Sequence, residues 1–587
     1  MTAPRATLPI ALLAVLLAGC DSGGKGEPPL KHPVSVFPAD GTKMASPRTQ
    51  ITIRGATPGQ LDDVDVKGSK SGSHDGKLKA HSDRRGASFV LKKPLADHER
   101  VTVQVRGKVV SRFSVTAPTE AALPAQQTGQ KRVGVARFRS RPDLAPTALK
   151  VNVAQSDAAP GEIFVAPKGP ASQGGPMILD PKGRLVWFRP MPGDLQAYNF
   201  RVQRWNGKPV LTWFQGEQAT GVGRGEGLVY DTSYRPVARI HTGNGYAQDL
   251  HEFTLTDHGT ALVDAYNPVT ADLTAVGGPR DGLVWDCVVQ EIDVKTGLVL
   301  FEWHSLDHVP ITDSYRRAPK GDKIYDYFHL NSIDEVPDGN LLISSRDTHT
   351  VYEIDRSTGR IVWRLGGKHS TFDVDSDADF HWQHDAEWHG KDQVSVFNNN
   401  SLAGEKNPAE SSGLVIRLDR GAKRATLVRA FKHPDRIESP SKGNLQLLPR
   451  GHAFAGWGGK NPRFSEFGDD GTLLFDETFL SPHSSSYRAY RSEWSARPMD
   501  RPAAVATTTG AKTTVYASWN GATEVARWRV LSGAAPGSLT AGPTVERTDF
   551  ETAIPLEIAA KLVQVEALDR TGKVIGRSKV VAAKPTA

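Results

Sequence analysis

The stretch Thr350–Leu365, "TVYEIDRSTGRIVWRL", decides the fold. Apolar residues alternate along a first run, a turn falls at Asp355 to Gly359, and a second run alternates in the same way. That is the pattern of a β-hairpin with one face buried. The design recurs in "PMILDPKGRLVWFR" from Pro176, "GLVYDTSYRPVARIH" from Gly227 and "VVQEIDVKTGLVLFEW" from Val288. It recurs again in "LVIRLDRGAKRATLVRAF" from Leu414 and "RFSEFGDDGTLLFDETF" from Arg463. Six hairpins spaced by several tens of residues predict an all-β, six-bladed β-propeller, because radial repetition of small sheets hides the edges an open sheet exposes. Solenoids are the alternative, but the units are too long and too antiparallel for most of them.

A second element sits between the hairpins: "NFRVQRWNGKPVLTWF", "HEFTLTDHGTALVDAY", "NSIDEVPDGNLLISSR", "HDAEWHGKDQVSVFNN" and "GNLQLLPRGHAFAGWG". With the turns aligned, Asn199, His251, Asn331 and His384 share one register, eight residues before Gly207, Gly259, Gly339 and Asp392; the fifth copy offers Gly443 or Asn444. Equivalent positions of successive blades ring the propeller axis, so these side chains are expected at one mouth of the central channel. The competing reading is local: Asn and His bonding nearby backbone at the entry of an inner strand.

The flanking regions read differently. The chain has 587 residues, 38% of them hydrophobic and 23% charged, enough for a large core and more than one domain. Arg5 and the apolar run from Leu8 to Gly19, ending in Leu17-Ala18-Gly19-Cys20, resemble a lipoprotein signal (residues 1–20) with Cys20 as the lipidated residue. A flexible tether (21–30) follows. Short β-like runs predict β-sandwiches at 31–118 and 499–587, with a connector at 119–159 and the catalytic propeller at 160–498. The expectation is an exported protein held on the outer face of the cell membrane by lipid alone. Cys287 is the one other cysteine, so with Cys20 lipidated no intrachain disulfide forms, and Cys287 reads as a buried free thiol. The net charge of +7 and the pI of about 9.1 suit an anionic partner, but no long Lys/Arg cluster points to nucleic acid.

The candidate chemistry gathers on the register. His329 lies two residues before Asn331, and Arg346 ends the same copy. Three histidines, His251, His329 and His384, form a possible zinc set. Arg346 argues against it, since a guanidinium repels a dication and suits an oxyanion. No carboxylate clearly joins the register: Glu252 and Asp385 follow their histidines and should face the other way in regular strands. The site therefore reads as an anion site with a nucleophile. His381 and His389 are expected at the surface or between blades, and Trp382, Trp388, Tyr327 and Phe328 mostly in packing.

"DLHEF", "YFHLNSIDEVPDGNLLISSRDTHTVYEIDRSTGRIVWRLGG" and "QHDAEW", in this order on the repeats, resemble the bacterial arylsulfate sulfotransferase (arylsulfotransferase, ASST) family over roughly residues 160–495. The resemblance implies transfer of a sulfuryl group from a phenolic sulfate ester to a phenolic acceptor, without the nucleotide donor PAPS, by a ping-pong route. It places a transiently sulfated nucleophile at His384, and sulfuryl-binding and proton-handling residues at His251, His329 and Arg346, with Asn331 and Asn199 as substrate contacts. No cofactor and no metal is implied, and a homodimer is an open possibility. The family's propeller disulfide has no counterpart here. Two other readings stay open: a metal-dependent propeller hydrolase or lyase using the three histidines, and a surface-anchored propeller that binds an anion without turnover.

Overall fold

The computed structural model describes residues 34–119, 132–219, 221–321, 323–401, 409–459 and 462–585. The expected signal sequence, with Cys20, and the tether lie outside the described residues. The protein is almost wholly β, in antiparallel sheets; among the described residues the one α-helix is the four-residue Ser305–His308. No described helix is long and apolar enough to cross a membrane.

The quoted hairpin folds as its pattern requires. Thr350–Ile354 pairs with Ile361–Gly366, Val351 opposite Leu365, and Val351, Ile354 and Leu365 are buried. Asp355 makes the turn, its Oδ1 accepting from the backbone N–H of Ser357 at 2.8 Å and of Thr358 at 3.0 Å. Gly359 closes it at φ +73°, a conformation that penalises any Cβ. Asp180 and Asp231 bind turn N–H groups in the same way.

Each hairpin is half of a four-stranded meander. Leu330–Glu335, Leu341–Ser345, Thr350–Ile354 and Ile361–Gly366 form one; His384–His389, Gln393–Asn398, Ser412–Asp419 and Arg424–Phe431 form the next. An eight-stranded sheet divides into the meanders from Gln196 to Ile240 and from Gln248 to His304, coupled by the single pair Gly225 and Gln248. Asn444–Leu447 to Leu473–Phe479 makes a further one, and Leu149–Ala154, inside the expected connector, adds to its edge. That edge strand is mostly solvent-facing, so its sequence lacks the apolar alternation of an inner strand. The last sheet joins distant parts of the chain: Ala489–Ser492 pairs with Glu162–Val165.

First strands touch in a cycle. Ala489–Ser492 meets Gln196–Trp205, which meets Gln248–Leu255, then Leu330–Glu335, His384–His389 and Asn444–Leu447, which returns to Ala489–Ser492. Residues 35–114 form two four-stranded sheets around a core of Ile51, Ile53, Val66, Val101, Val103 and Phe113. Residues 503–585 form a four-stranded and a five-stranded sheet around Val515, Trp528, Val530, Val563 and Val565.

Candidate functional site

Four of the inner strands carry the same irregularity where the register residues lie. The pairing slips between Tyr198 and Arg201, between Gln248 and Phe253, between Leu330 and Ser332, and between His384 and Glu387. A bulge lets neighbouring residues leave the strict alternation of a strand and re-aims their side chains. Asn199 and His329 (φ +54° each) and Asp385 (φ +56°) are held in the left-handed region there. The strands are thus not regular at this point, and consecutive residues serve two different clusters.

One cluster is a fully buried hub. Arg488, next to the closing strand, contacts Glu252 Oε2 at 3.0 Å and Asp385 Oδ1 at 3.1 Å. It also donates to Asn199 Oδ1 at 3.2 Å and to the Asn331 carbonyl at 2.8 Å. Asn199 Nδ2 donates to Glu252 Oε1 at 2.9 Å, where Arg201 also lands. Burial alone would raise Glu252, but Arg488 and Arg201 outweigh it and hold the carboxylate below its usual range. The Asn331 amide donates to the Gln383 carbonyl at 2.8 Å. Asn199 and Asn331 are therefore engaged in this polar layer.

The other cluster holds the histidines. The rings of His251 and His329 lie 4.8 Å apart, edge to face, and Tyr266 and Tyr487 flank His251 at 5.5 and 5.6 Å. His251 Nδ1 is bound by Asp249, and His329 Nδ1 by Asp326 Oδ2 at 2.6 Å. The same Asp326 oxygen is 3.6 Å from Arg346 Nη2, whose guanidinium is pinned on Asp347 at 2.8 and 3.3 Å and lies 4.6 Å over Trp382. Both tyrosine hydroxyls are committed: Tyr266 to the Leu330 carbonyl at 2.6 Å, Tyr487 to the Asn331 carbonyl at 3.2 Å. Burial pushes the His329 ring well below its ordinary value, with Arg346 adding.

His384 is buried and held differently. Its Nδ1 donates to Asn399 Oδ1 at 2.7 Å. The Asn399 amide cannot be turned round, because its Nδ2 donates to the carbonyls of Ser439 at 2.6 Å and Lys442 at 2.8 Å. The proton is therefore on Nδ1 and the lone pair on Nε2. The Lys442 N–H caps Nε2 through a long bond of 3.2 Å. Burial, then Arg346 and His329, push this imidazole well below its ordinary value against the opposing pull of Asn399, so the ring is neutral. A neutral imidazole with one fixed lone pair is a nucleophile that needs no base.

Asp249, Asp326 and Asn399 were not among the sequence candidates. The carboxylates precede their histidines by two and three residues, outside the register, and the signal was "DLH" and "DYFH". Asn399 stands fifteen residues after His384, as Tyr266 does after His251 and Arg346 after Asn331, so a second register was present. His381 is half exposed and His389, half buried, bonds Ser395 at 2.8 Å. Tyr327, Phe328 and Cys287 belong to the core, and Cys287 is a free thiol that burial pushes well up.

Two groups bring ligand atoms within 4.8 Å: Asp249, His251 and Asp264, and Asp326, His329 and Asp347. Among the described residues no such group contains two of the three histidines. In the second, Arg346 already sits on the carboxylates and opposes a dication. In the first, burial and the charge of Asp249 push Asp264 well up, which disfavours the ionised carboxylate that a metal needs. A cavity of about 590 Å³ opens elsewhere, beside the N-terminal sheets, with Arg54, Asp83, Glu291 and Arg356 in its wall. These four charges are already paired, Arg54 with Asp83 and Arg356 with Glu291.

The geometry defines a class: an all-β protein whose converging strands bury a neutral histidine near a guanidinium, an arrangement that suits transfer of an anionic group. Residues 201–480 match the family model described as Arylsulfotransferase (ASST), which supports the likeness of the motifs to that family over this region. No curated protein matches the chain. Among solved structures, a protein of unknown function from Bacteroides caccae is 13% identical, covering 56% of this chain and 98% of its own, at a TM-score of 0.35. A catalytically inactive virginiamycin B lyase from Staphylococcus aureus is 9% identical, covering 64% and 97%, at 0.29. These scores are too low to carry an argument about fold or activity.

Proposed function

We propose that the six meanders are the blades of a β-propeller, and that the protein is a PAPS-independent aryl sulfotransferase working through a sulfohistidine at His384. The observation that carries this reading is the tautomer lock: Asn399, fixed by two carbonyls, holds the His384 proton on Nδ1 and leaves Nε2 as the lone pair.

In the first half-reaction Nε2 attacks the sulfur of a phenolic sulfate ester. An N–S bond forms, the S–O bond to the aryl group breaks, and the phenolate leaves with the bonding pair. Negative charge on the equatorial oxygens falls to Arg346 and the N–H groups around it, among them the Lys442 N–H displaced from Nε2. His251, backed by the Asp249 carboxylate, gives the leaving oxygen its proton. The N-sulfo ring, still bound to Asn399 through Nδ1, is a good leaving group. In the second half-reaction neutral His329 takes the proton of an acceptor phenol, whose oxygen attacks sulfur as the N–S bond breaks and frees His384; the proton then returns to His251, whose ring lies 4.8 Å from that of His329, and the site is reset. Carboxylate partners thus serve the two proton-handling rings and an amide serves the nucleophile. A lipid anchor at Cys20 would put this chemistry on the outer face of the membrane.

The test is incubation of residues from about 25 onward with para-nitrophenyl sulfate, with and without phenol, followed by intact mass. The expected result is phenol-stimulated release of nitrophenol and a sulfuryl adduct, with loss of roughly 1000-fold or more in His384→Ala. A folded sample giving neither adduct nor release overturns the reading.

A further inference from the structure

Beyond the groups that face the sulfuryl position, the site has two lysine side chains that its chemistry does not use. Lys168 Nζ contacts Gln196 Oε1 at 3.0 Å, Gln218 Oε1 at 3.5 Å and the Tyr198 hydroxyl, and lies 4.4 Å over the Tyr198 ring. Lys442 Nζ contacts Ser485 Oγ at 3.3 Å. The two side chains share one strand partner, for Lys168 and Ser485 exchange backbone hydrogen bonds at 2.9 Å in both directions. Among the described residues neither ammonium has a carboxylate within ion-pair distance. Every named partner is a neutral oxygen or an aromatic face.

That is unusual for cations set inside a protein. A long side chain with a charged head normally reaches water or pairs, because an enclosed charge loses hydration that neutral partners replace only in part. Here both are half-buried and crowded: burial pushes Lys168 well below its ordinary value, with the Lys442 charge adding, and burial lowers Lys442 too. Two like charges held near each other without a counter-charge are destabilising unless an anion joins them.

Their position relative to His384 is set by the chain. Lys442 gives its N–H to His384 Nε2 and is held at φ +66°, a left-handed conformation that a non-glycine residue adopts at a cost. Towards Lys168 the wall is aromatic: the Tyr198 ring is 5.9 Å from Tyr487, and Tyr487 is 5.6 Å from His251. Lys442 is thus tied to His384 through its backbone, and Lys168 to His251 through the Tyr198–Tyr487 aromatic wall.

Building on the sulfuryl-transfer reading, we infer that Lys168 and Lys442 form a second anion subsite, which takes a carboxylate or similar group on the far end of the phenolic acceptor. The preferred acceptors are then phenolic acids rather than neutral phenols. The lysines would neutralise the acid while the tyrosine wall lines the ring.

The test compares phenol with para-hydroxybenzoate as acceptors for para-nitrophenyl sulfate, in the wild type, Lys168→Met, Lys168→Arg and Lys442→Met. The expected result is a ratio of kcat/KM, acid over phenol, that falls roughly tenfold or more in either methionine variant and is largely kept in Lys168→Arg. Equal losses for both acceptors would assign the lysines to the sulfuryl group itself and overturn the inference, as would an unchanged ratio. Calorimetric binding of para-hydroxybenzoate separates this from failure of the sulfotransferase reading. Binding that weakens in Lys168→Met, in a protein without turnover, supports the anion subsite alone; binding indifferent to both lysines rejects it.

Discussion

The Arg488 hub and the histidine cluster are built from the same bulged strands, in places from consecutive residues: His251 belongs to one and Glu252 to the other, His384 to one and Asp385 to the other. The hub matches its charges internally, with Arg488 facing Glu252 and Asp385 and accepting no role outside the fold. The histidine cluster leaves capacity open, above all the Nε2 lone pair of His384 behind a long 3.2 Å bond. A closed polar network rigidifies; an open one next to it has its geometry fixed at no loss of reactivity. The structural layer is what lets the reactive layer remain under-satisfied.

This division of labour requires that the hub be indispensable to the fold. Arg488→Leu leaves Asp385 buried without its cation and Glu252 with Arg201 alone, and an uncompensated buried charge costs about 3–5 kcal/mol. Chemical denaturation should show a loss of that order, and the triple variant Arg488→Leu, Glu252→Gln, Asp385→Asn should recover part of it. A single variant as stable as the wild type would mean that the hub holds nothing together.

The next effect falls on rate rather than stability. Arg346→Lys keeps a positive charge but loses the fork that grips Asp347 and presents the remaining N–H edge. Loss of one preorganised donor costs about 100-fold to 1000-fold in kcat. The expected outcome is a drop in kcat with the melting temperature little changed, the reverse of the Arg488 pattern. If Arg346→Lys instead unfolds the protein, the two layers are not separable in the way described.

The legible part of this molecule is the part that repeats. Hairpin alternation and the shared position of Asn199, His251, Asn331 and His384 follow from local periodicity, so the strands and the three histidines could be found from the sequence. The bulges could not, because an irregularity in pairing depends on the partner strand, and they bring the register residue Asn199 onto Glu252 in the hub. Arg488, Tyr487 and Lys168 were hidden for a topological reason. They lie outside the repeated copies and reach the site only because Ala489–Ser492 pairs with Glu162–Val165 across more than half the chain. Asn399 was within reach, at the same offset as Arg346, but an amide beside a histidine carries no chemistry until its own partners are known.

That amide gives the smallest and sharpest test. Asn399→Asp puts a carboxylate on His384 Nδ1, the arrangement already present at His251 and His329. In the wild type, burial and Arg346 keep the His384 ring well below the ordinary histidine value near 6.5, so no acid limb from this group should enter kcat/KM between about pH 6 and 8. A carboxylate favours the imidazolium and raises the value, and the nucleophilic neutral ring then dominates only above the new one. Activity should fall by about tenfold at pH 7 and recover as pH rises, a shift of the acid limb to higher pH with the plateau largely kept. The stability sign follows from the same linkage. A wild-type ring that stays neutral when folded binds its proton only when unfolded, so it withdraws stability as pH falls below about 6.5, and the variant should lose less over that window. An unshifted pH profile in Asn399→Asp would mean that the amide does not set the protonation state of His384, and the distinction between its nucleophile and its carboxylate-backed neighbours would rest on something other than their partners.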